Sequence, residues 1–380
     1  MKRRDFIINS ALAIGGAAIL SGCGKKEIKK AEGQVVRRKF ANIDTPLIAL
    51  GCMRLPIRDE KIDMVELDKM VEYAMSHGAN YFDTAYMYVD GKSENAIGEI
   101  LKKYPRESFI LADKCPAYLV NSPSDVRKLC EEQLKKCQVK YFDNYMVHNI
   151  NKNTLSNYRD NNMYDELLKL KKEGLVKHIG FSFHGDPQML KEVIKEHKWD
   201  FCQLQINYLD WEVVNADELY NIADEAEVPV IVMEPLRGGV LCNLPQKAKD
   251  KLKQECPNDT QASFGLRWVA GRQRVFTILS GMSNLQQLKE NIDTFVNYKT
   301  ITEKEEKVAH DIAQIIQSGG AISCTACKYC MEVCPRGINI PAIFGLYNMF
   351  KGNTAPNASF MFVYNYNALD ESTRADKCIK

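Results

Sequence analysis

Short apolar runs and amphipathic stretches alternate along most of this chain. Eight runs read as strands: Pro46–Cys52, Asn80–Ala85, Phe109–Cys115, Phe142–His148, His178–Phe183, Phe201–Asn207, Pro229–Pro235 and Val275–Gly281. Between them apolar residues recur at helical spacing in Asp63–Ser76, Ser93–Lys103, Ser124–Cys137, Tyr164–Glu173, Pro187–His197, Ala216–Glu225, Gln261–Val269 and Asn284–Tyr298. Ser93 and Ser124 stand where helix N-caps are expected. Strand and helix in this count and order predict an α/β fold, a (β/α)8 TIM barrel. A doubly wound sheet is the competing arrangement. No Gly-x-Gly-x-x-Gly run follows an early strand, as the dinucleotide site of that fold requires.

Three of the runs carry an ionisable residue at the carboxyl end. Tyr81-Phe82-Asp83-Thr84-Ala85 leads past Asp83 to Tyr88, Phe109–Lys114 ends on Lys114, and Asn144–His148 ends on His148. In a parallel barrel the carboxyl ends of the strands form one rim, where active sites sit. The four residues are therefore expected to converge. A free tyrosine, with a pKa near ~10, is a poor acid at neutral pH. A lysine cation beside it favours phenolate, and an aspartate keeps that lysine charged and aimed. A histidine can hydrogen-bond the oxygen that receives the proton. Such a set protonates a carbonyl oxygen while hydride reaches its carbon. Singly, each could be an ordinary strand-end residue; four in order at successive strand ends favour a site.

The phrase Gly78-Ala79-Asn80-Tyr81-Phe82-Asp83-Thr84-Ala85-Tyr86-Met87-Tyr88, with Lys114 and His148, closely resembles the aldo/keto reductase family. The resemblance implies an NAD(P)H-dependent oxidoreductase acting on a small carbonyl or alcohol. In it Tyr88 is the acid/base, Lys114 its pKa modulator, Asp83 the lysine's partner and His148 the substrate orienter. It also implies that Ser182 and Gln203 hold the nicotinamide amide, although Phe183 stands where an asparagine commonly follows that serine. Pro235 and Leu236 follow strand seven beside Met233, a position that often carries a stacking aromatic. After strand eight, Gly281 leads into a helix whose N-terminus is placed to take a phosphate. Glu290 and Asn291 match adenine contacts, and Gln287 stands where many NADPH users have arginine. Gln203 and Asn291 read equally well as satisfied core polar groups.

At 380 residues the chain holds one barrel of roughly 250 residues plus appendages. A net charge of +2, with no arginine-rich tract in the body, argues against a nucleic-acid surface. The cysteines number 13. Seven are scattered through the barrel without ligand spacing and read as small buried apolar residues. Cys324-x2-Cys327-x2-Cys330-x3-Cys334-Pro335 matches the bacterial ferredoxin run for a [4Fe–4S] cluster. Zinc suits four cysteines packed so closely poorly, and structural disulfides are a weaker option. Aldo/keto reductases with such tails usually carry a second cysteine run. Here Cys378 comes 44 residues past Cys334, and the ending reads as a second run cut short. The expectation is one cluster on Cys324, Cys327, Cys330 and either Cys334 or Cys378.

The first residues read as an address. Arg3-Arg4 before Asp5-Phe6-Ile7 resembles a twin-arginine export signal, and Leu20-Ser21-Gly22-Cys23 resembles a lipobox in which Cys23 carries the lipid. The predicted organisation is a signal over 1–23, a basic linker over 24–40, the barrel over 41–300, and a helix with a ferredoxin-like cysteine-rich tail over 301–380. The chain is thus expected in the periplasm or cell envelope, held to the membrane by a lipid anchor. The competing function is an exported iron–sulfur electron-transfer protein serving a redox partner, with the barrel as scaffold.

Overall fold

A computed structural model describes residues 25–40, 43–213, 216–319, 322, 324, 327–351, 363, 366, 367 and 369–379. The export signal and lipobox expectations, Cys23 included, lie outside the described residues. The core is a closed parallel barrel of eight strands: β1 (Ile48–Gly51), β2 (Tyr81–Asp83), β3 (Ile110–Pro116), β4 (Phe142–Ile150), β5 (Val176–Phe183), β6 (Phe201–Gln205), β7 (Val230–Met233) and β8 (Val275–Ser280). Helices α1 (Met64–Ser76), α2 (Ser93–Leu101), α3 (Pro123–Lys136), α4 (Met163–Lys172), α5 (Pro187–Glu196), α6 (Ala216–Glu225), α7 (Gln261–Ala270) and α8 (Leu285–Val296) lie outside it. The predicted barrel is therefore the observed one.

Ala49, Tyr81, Ala112, Met146, Phe201, Ile231, Phe276 and Leu279 fill the interior. The strands cross close together: a Cβ at Gly180 of β5 would fall 2.5 Å from the carbonyl oxygen of Phe201 in β6, so only glycine fits. An antiparallel hairpin, Arg37–Phe40 with Ile43–Pro46, plugs the amino-terminal end. Thr45 Oγ1 donates to the Phe276 carbonyl at 2.8 Å, and Arg38 donates to the Arg272 carbonyl at 2.9 Å.

Three expectations change. The basic stretch is laid along the barrel instead of hanging free: Ala31 N–H donates to Ser76 O at 2.9 Å and Val36 N–H to Phe295 O at 3.0 Å. The helix Glu303–Ser318, grouped with the tail in the sequence reading, packs on the barrel wall through buried Val308, Ile312 and Ala313. Neither predicted cap is one. Ser122 caps α3, with Pro123 at the first turn and Asp125 accepting the Ser122 N–H at 2.9 Å. Ser93 lies inside α2, its Oγ donating to Cys52 O at 3.0 Å.

Candidate active site

The stagger of β2, β3 and β4 carries the expected groups to one rim: Asp83 pairs in register with Ala112, Lys114 with Met146, and Pro116 with His148. Lys114 and Asp83 form an ion pair, each side chain 1% exposed. Lys114 Nζ also donates to Thr84 O at 2.8 Å. The same Nζ lies 4.6 Å from the Tyr88 ring centroid. Tyr88 meets His148 edge-on at 6.2 Å and 83°. All four side chains come together.

Local structure holds them there. The Tyr88 N–H donates to Ala85 O at 3.0 Å, and the next residues turn through positive φ: Val89 at 53°, Asp90 at 54° and Gly91 at 74°. A β-branched residue at positive φ is strained, and such strain persists where surrounding structure over-determines it. Behind Lys114, Asp113 accepts from the Lys114 N–H at 2.8 Å and from Gln133 Nε2 at 2.9 Å. Gln133 also donates to Glu94 Oε1 at 2.8 Å and accepts from Tyr145 Oη at 2.6 Å. This buried network fixes β3 from outside the barrel.

Burial decides the electrostatics. It pushes the Tyr88 phenol well above its ordinary value, and Asp83 and Glu234 push the same way. The phenol sits above its ordinary value even with the Lys114 cation, paired with Asp83, beneath its ring. Tyr88 thus rests as a protonated phenol. Burial raises Asp83, and Lys114 pulls it back. Burial holds His148 well below the usual histidine value, assisted by Lys114 and His184, so its imidazole is neutral.

A cavity of about 580 Å³ runs from Asp83 and Tyr88 across the mouth to α8. Gln203, Pro235, Leu236, Gly281, Gln287, Glu290 and Asn291 line it. Ser182 does not; its Oγ accepts the Asn149 N–H at 2.7 Å, where the register of β4 shifts. Gln203 is 1% exposed, and its Oε1 has no hydrogen-bond partner. A buried amide oxygen left without a partner at a cavity wall fits a ligand N–H. Asn291 Nδ2 instead donates to Ser280 Oγ at 3.1 Å.

The start of α8 differs from the expected open phosphate site. Glu66 accepts the Leu285 N–H at 2.9 Å, Asn284 Oδ1 accepts that of Gln287 at 2.9 Å, and Gln287 Oε1 accepts that of Ser283 at 2.8 Å. The helix end is capped from within, one of its partners being a carboxylate. Arg54, Glu234 and Cys242 also stand on the cavity wall, unforeseen from the sequence. Cys242 is exposed, unlike the other barrel cysteines. The positive-φ pair Gly238-Gly239 was the available signal for this loop.

In the tail Cys324, Cys327, Cys330 and Cys334 are all half-buried. Cys334 Sγ accepts the Ile338 N–H at 3.4 Å. Among the described residues the only trio of ligand-type groups within 4.8 Å of one another is Cys256, Asp259 and Glu305. Arg267 already pairs with both of those carboxylates, at 2.5 and 2.8 Å. Among the described residues no three of the tail thiols lie within 4.8 Å of one another. Arg336 Nε donates to Lys377 O at 3.3 Å, bringing the Cys378 segment back onto the run.

The sequence profile of the Aldo/keto reductase family matches residues 47–310. The chain belongs to that family. The match covers the barrel and stops short of the cysteine tail. An uncharacterized oxidoreductase, YqkF of Bacillus subtilis, is 24% identical over 297 residues, spanning 70% of this chain and 92% of that one. The NADH-specific methylglyoxal reductase of Escherichia coli is 26% identical over 258 residues, 57% of this chain and 78% of that one. The holo form of aldo-keto reductase AKR11C1 from Bacillus halodurans superposes with a TM-score of 0.63 at 23% identity, covering 73% of this chain and 96% of that one. The protein is thus an oxidoreductase of the aldo/keto reductase type.

Proposed function

We propose that the protein reduces a small aldehyde or ketone with a nicotinamide cofactor, Tyr88 supplying the proton. The observation that carries this is the buried Asp83–Lys114 pair beneath Tyr88, at one end of a cavity whose wall holds the unpartnered Gln203 amide oxygen. When bound, the nicotinamide supplies hydride to the carbonyl carbon. Tyr88 Oη donates its proton to the carbonyl oxygen as charge builds there. Lys114 stabilises the phenolate left behind, and Asp83 holds Lys114 in place. Neutral His148 hydrogen-bonds the substrate oxygen and fixes its direction. Gln203 anchors the cofactor amide, while Ser182 orders the β4 turn behind it. The carboxylate of Glu66 at α8 opposes a 2′-phosphate, so NADH is favoured over NADPH. The E. coli relative's name, an NADH-specific reductase, agrees with that preference.

The tail cysteines are read as ligands of one [4Fe–4S] cluster, which supplies either one-electron transfer or a structural clip. Cys324, Cys327 and Cys330 hold it with Cys334 or Cys378. Arg3-Arg4 and Leu20–Cys23 support export and lipid anchoring. The family match favours a reductase over the scaffold alternative. Anaerobic purification, followed by identification of released nucleotide and counting of iron and sulfide, tests the whole reading. A nicotinamide nucleotide and about four irons per chain are expected; about eight irons would mean two clusters. No nucleotide affinity and no carbonyl-dependent turnover would overturn the reductase assignment.

A further inference from the structure

Two acids lie behind Lys114, on the helix side of β3. Asp113 and Glu94 are both fully buried and both stand on one nitrogen: Gln133 Nε2 donates to Asp113 Oδ1 at 2.9 Å and to Glu94 Oε1 at 2.8 Å. The same nitrogen lies 3.0 Å from the Lys114 carbonyl oxygen. The amide orientation is fixed, since turning it over would set its oxygen against both carboxyls. Two hydrogens thus face three oxygens, and two carboxyls sharing one buried site do not both ionise.

The surrounding charges decide which acid keeps its proton. Glu94 Oε2 pairs with Lys136 Nζ at 3.2 Å, and Lys136 reaches Glu132 as well. Lys114 Nζ is turned to Asp83, on the barrel side of the strand. Asp113 has neutral partners: the Lys114 N–H at 2.8 Å, the Gln133 amide, and the Cys137 thiol 3.7 Å from its Oδ2. Burial and then Glu94 push it well above the ordinary carboxylate value, with the Lys114 N–H and ammonium opposing. The other titratable groups around it are Cys52 after β1, Cys115 of β3, Cys130 of α3, Cys137 just after α3, and Tyr145 of β4. Burial pushes all of them up, so they stay neutral. Asp113 therefore holds the proton and Glu94 the charge.

The same contacts clamp Lys114. Asp113 takes its N–H and Gln133 its carbonyl oxygen, so both peptide groups flanking the lysine are held while its ammonium reaches Asp83 and the Tyr88 ring. We propose that Asp113, Gln133 and Glu94 are positioning residues for the reaction: they aim Lys114 at Tyr88, and the proton they keep on Asp113 holds a second carboxylate charge away from the Tyr88 phenolate. The proposal rests on the reductase reading above. None of the three lines the cavity, so they act through Lys114. Loss of the proton would set two carboxylates, Asp83 and Asp113, around one lysine. The Tyr88 phenol, held up first by burial and then by Asp83 and Glu234, would be held up further by Asp113. Proton donation to the carbonyl oxygen would then weaken as pH rises. Glu94 sets where this happens, since its charge keeps the proton on Asp113.

The test uses the holoprotein purified anaerobically, as wild type, Asp113→Asn, Asp113→Leu, Glu94→Gln and Glu94→Gln/Asp113→Asn. Infrared spectra of the resting protein read the C=O band of a protonated carboxyl. NADH-dependent turnover of an aldehyde panel is followed from about pH 6 to about pH 10, with NADH affinity read by fluorescence. One protonated-carboxyl band should be lost in Asp113→Asn. In Glu94→Gln that band should fade at a pH lower by about one unit or more, and the alkaline fall in kcat should move with it. Asp113→Leu should lower kcat at neutral pH roughly tenfold to hundredfold with NADH affinity held. Asp113→Asn keeps the clamp and cannot ionise, so it should recover most of that loss and show no such alkaline fall. The double variant should follow Asp113→Asn. If Asp113→Leu fails to fold, Glu94→Gln against the double variant carries the comparison. Identical infrared spectra for wild type and Asp113→Asn, or superimposable pH profiles for wild type and Glu94→Gln, would overturn the proposal. Wild type that reduces aldehydes without the band would defeat the proposal alone. Wild type that shows the band yet turns over no aldehyde would defeat the reductase reading and the positioning role with it.

Discussion

Replacing Asp83 with asparagine tests the buried ion pair from both its structural and its chemical side. The substitution leaves Lys114 as a cation 1% exposed, with Thr84 O at 2.8 Å as its remaining strong acceptor. Removing one partner of a buried pair costs about 3–5 kcal/mol, because the other charge stays desolvated. The amide oxygen still accepts a hydrogen bond, which places the expected loss near 3 kcal/mol. With a urea m-value of about 3 kcal/mol per M, that moves the unfolding midpoint down by about 1 M. Asp83→Asn/Lys114→Met removes the orphaned charge and should recover stability to within about 1 kcal/mol of wild type. It should recover no turnover, since nothing then stabilises the Tyr88 phenolate. Urea unfolding followed by circular dichroism and carbonyl-dependent NADH oxidation read the two sides. A single variant unfolding at the wild-type midpoint, or a double variant regaining activity, would refute the reasoning.

Burial pushes His184 down to about 4, while an unfolded histidine titrates near ~6.5. Its contribution to stability is therefore complete above the unfolded value and is lost as pH falls through that window, by about 3 kcal/mol. Thermal midpoints should fall less on acidification in His184→Gln than in wild type; parallel curves would count against this. Glu66→Ala with Gln287→Arg opens the start of α8 and adds a cation, so NADP⁺ affinity should rise roughly tenfold while NAD⁺ affinity changes little. Equal changes for both nucleotides in a calorimetric titration would place the phosphate elsewhere. Ser93→Ala removes the buried hydroxyl joining Cys52 O and Thr84 Oγ1 and should cost about 1–2 kcal/mol in urea unfolding. No measurable loss would mean that those partners relax onto other groups.

What was legible in the sequence follows from the range of each signal. Strands β1 to β8 announced themselves as local apolar runs, and their carboxyl ends placed Asp83, Lys114 and His148 on one rim. Gln203 was assigned to the cofactor side by the family resemblance and not by its run, and its amide oxygen is buried and unpartnered at the cavity wall. The upward push of burial on the Tyr88 phenol was not legible, since the depth of its burial is a tertiary fact. The hairpin around Arg38 was hidden by charge: its guanidinium is spent on the Arg272 and Val275 carbonyls, contacts more than two hundred residues away. Ser122-Pro123-Ser124-Asp125 did contain the true cap of α3, with proline at the first turn and an acid at the third position. The docking of Tyr329 on His184 joins segments with no common pattern, and only the folded chain reveals it.

The most direct measurement is NADH oxidation by wild type and by Tyr88→Phe across a panel of aldehydes, with NADH affinity determined on the same samples. Phenylalanine keeps the ring beside Lys114 and His148 but removes the proton. The expected outcome is nucleotide affinity within about twofold of wild type and turnover lower by roughly a hundredfold to ten-thousandfold, the usual worth of a positioned acid. A Tyr88→Phe protein that reduces the same aldehydes at the wild-type rate would contradict the account.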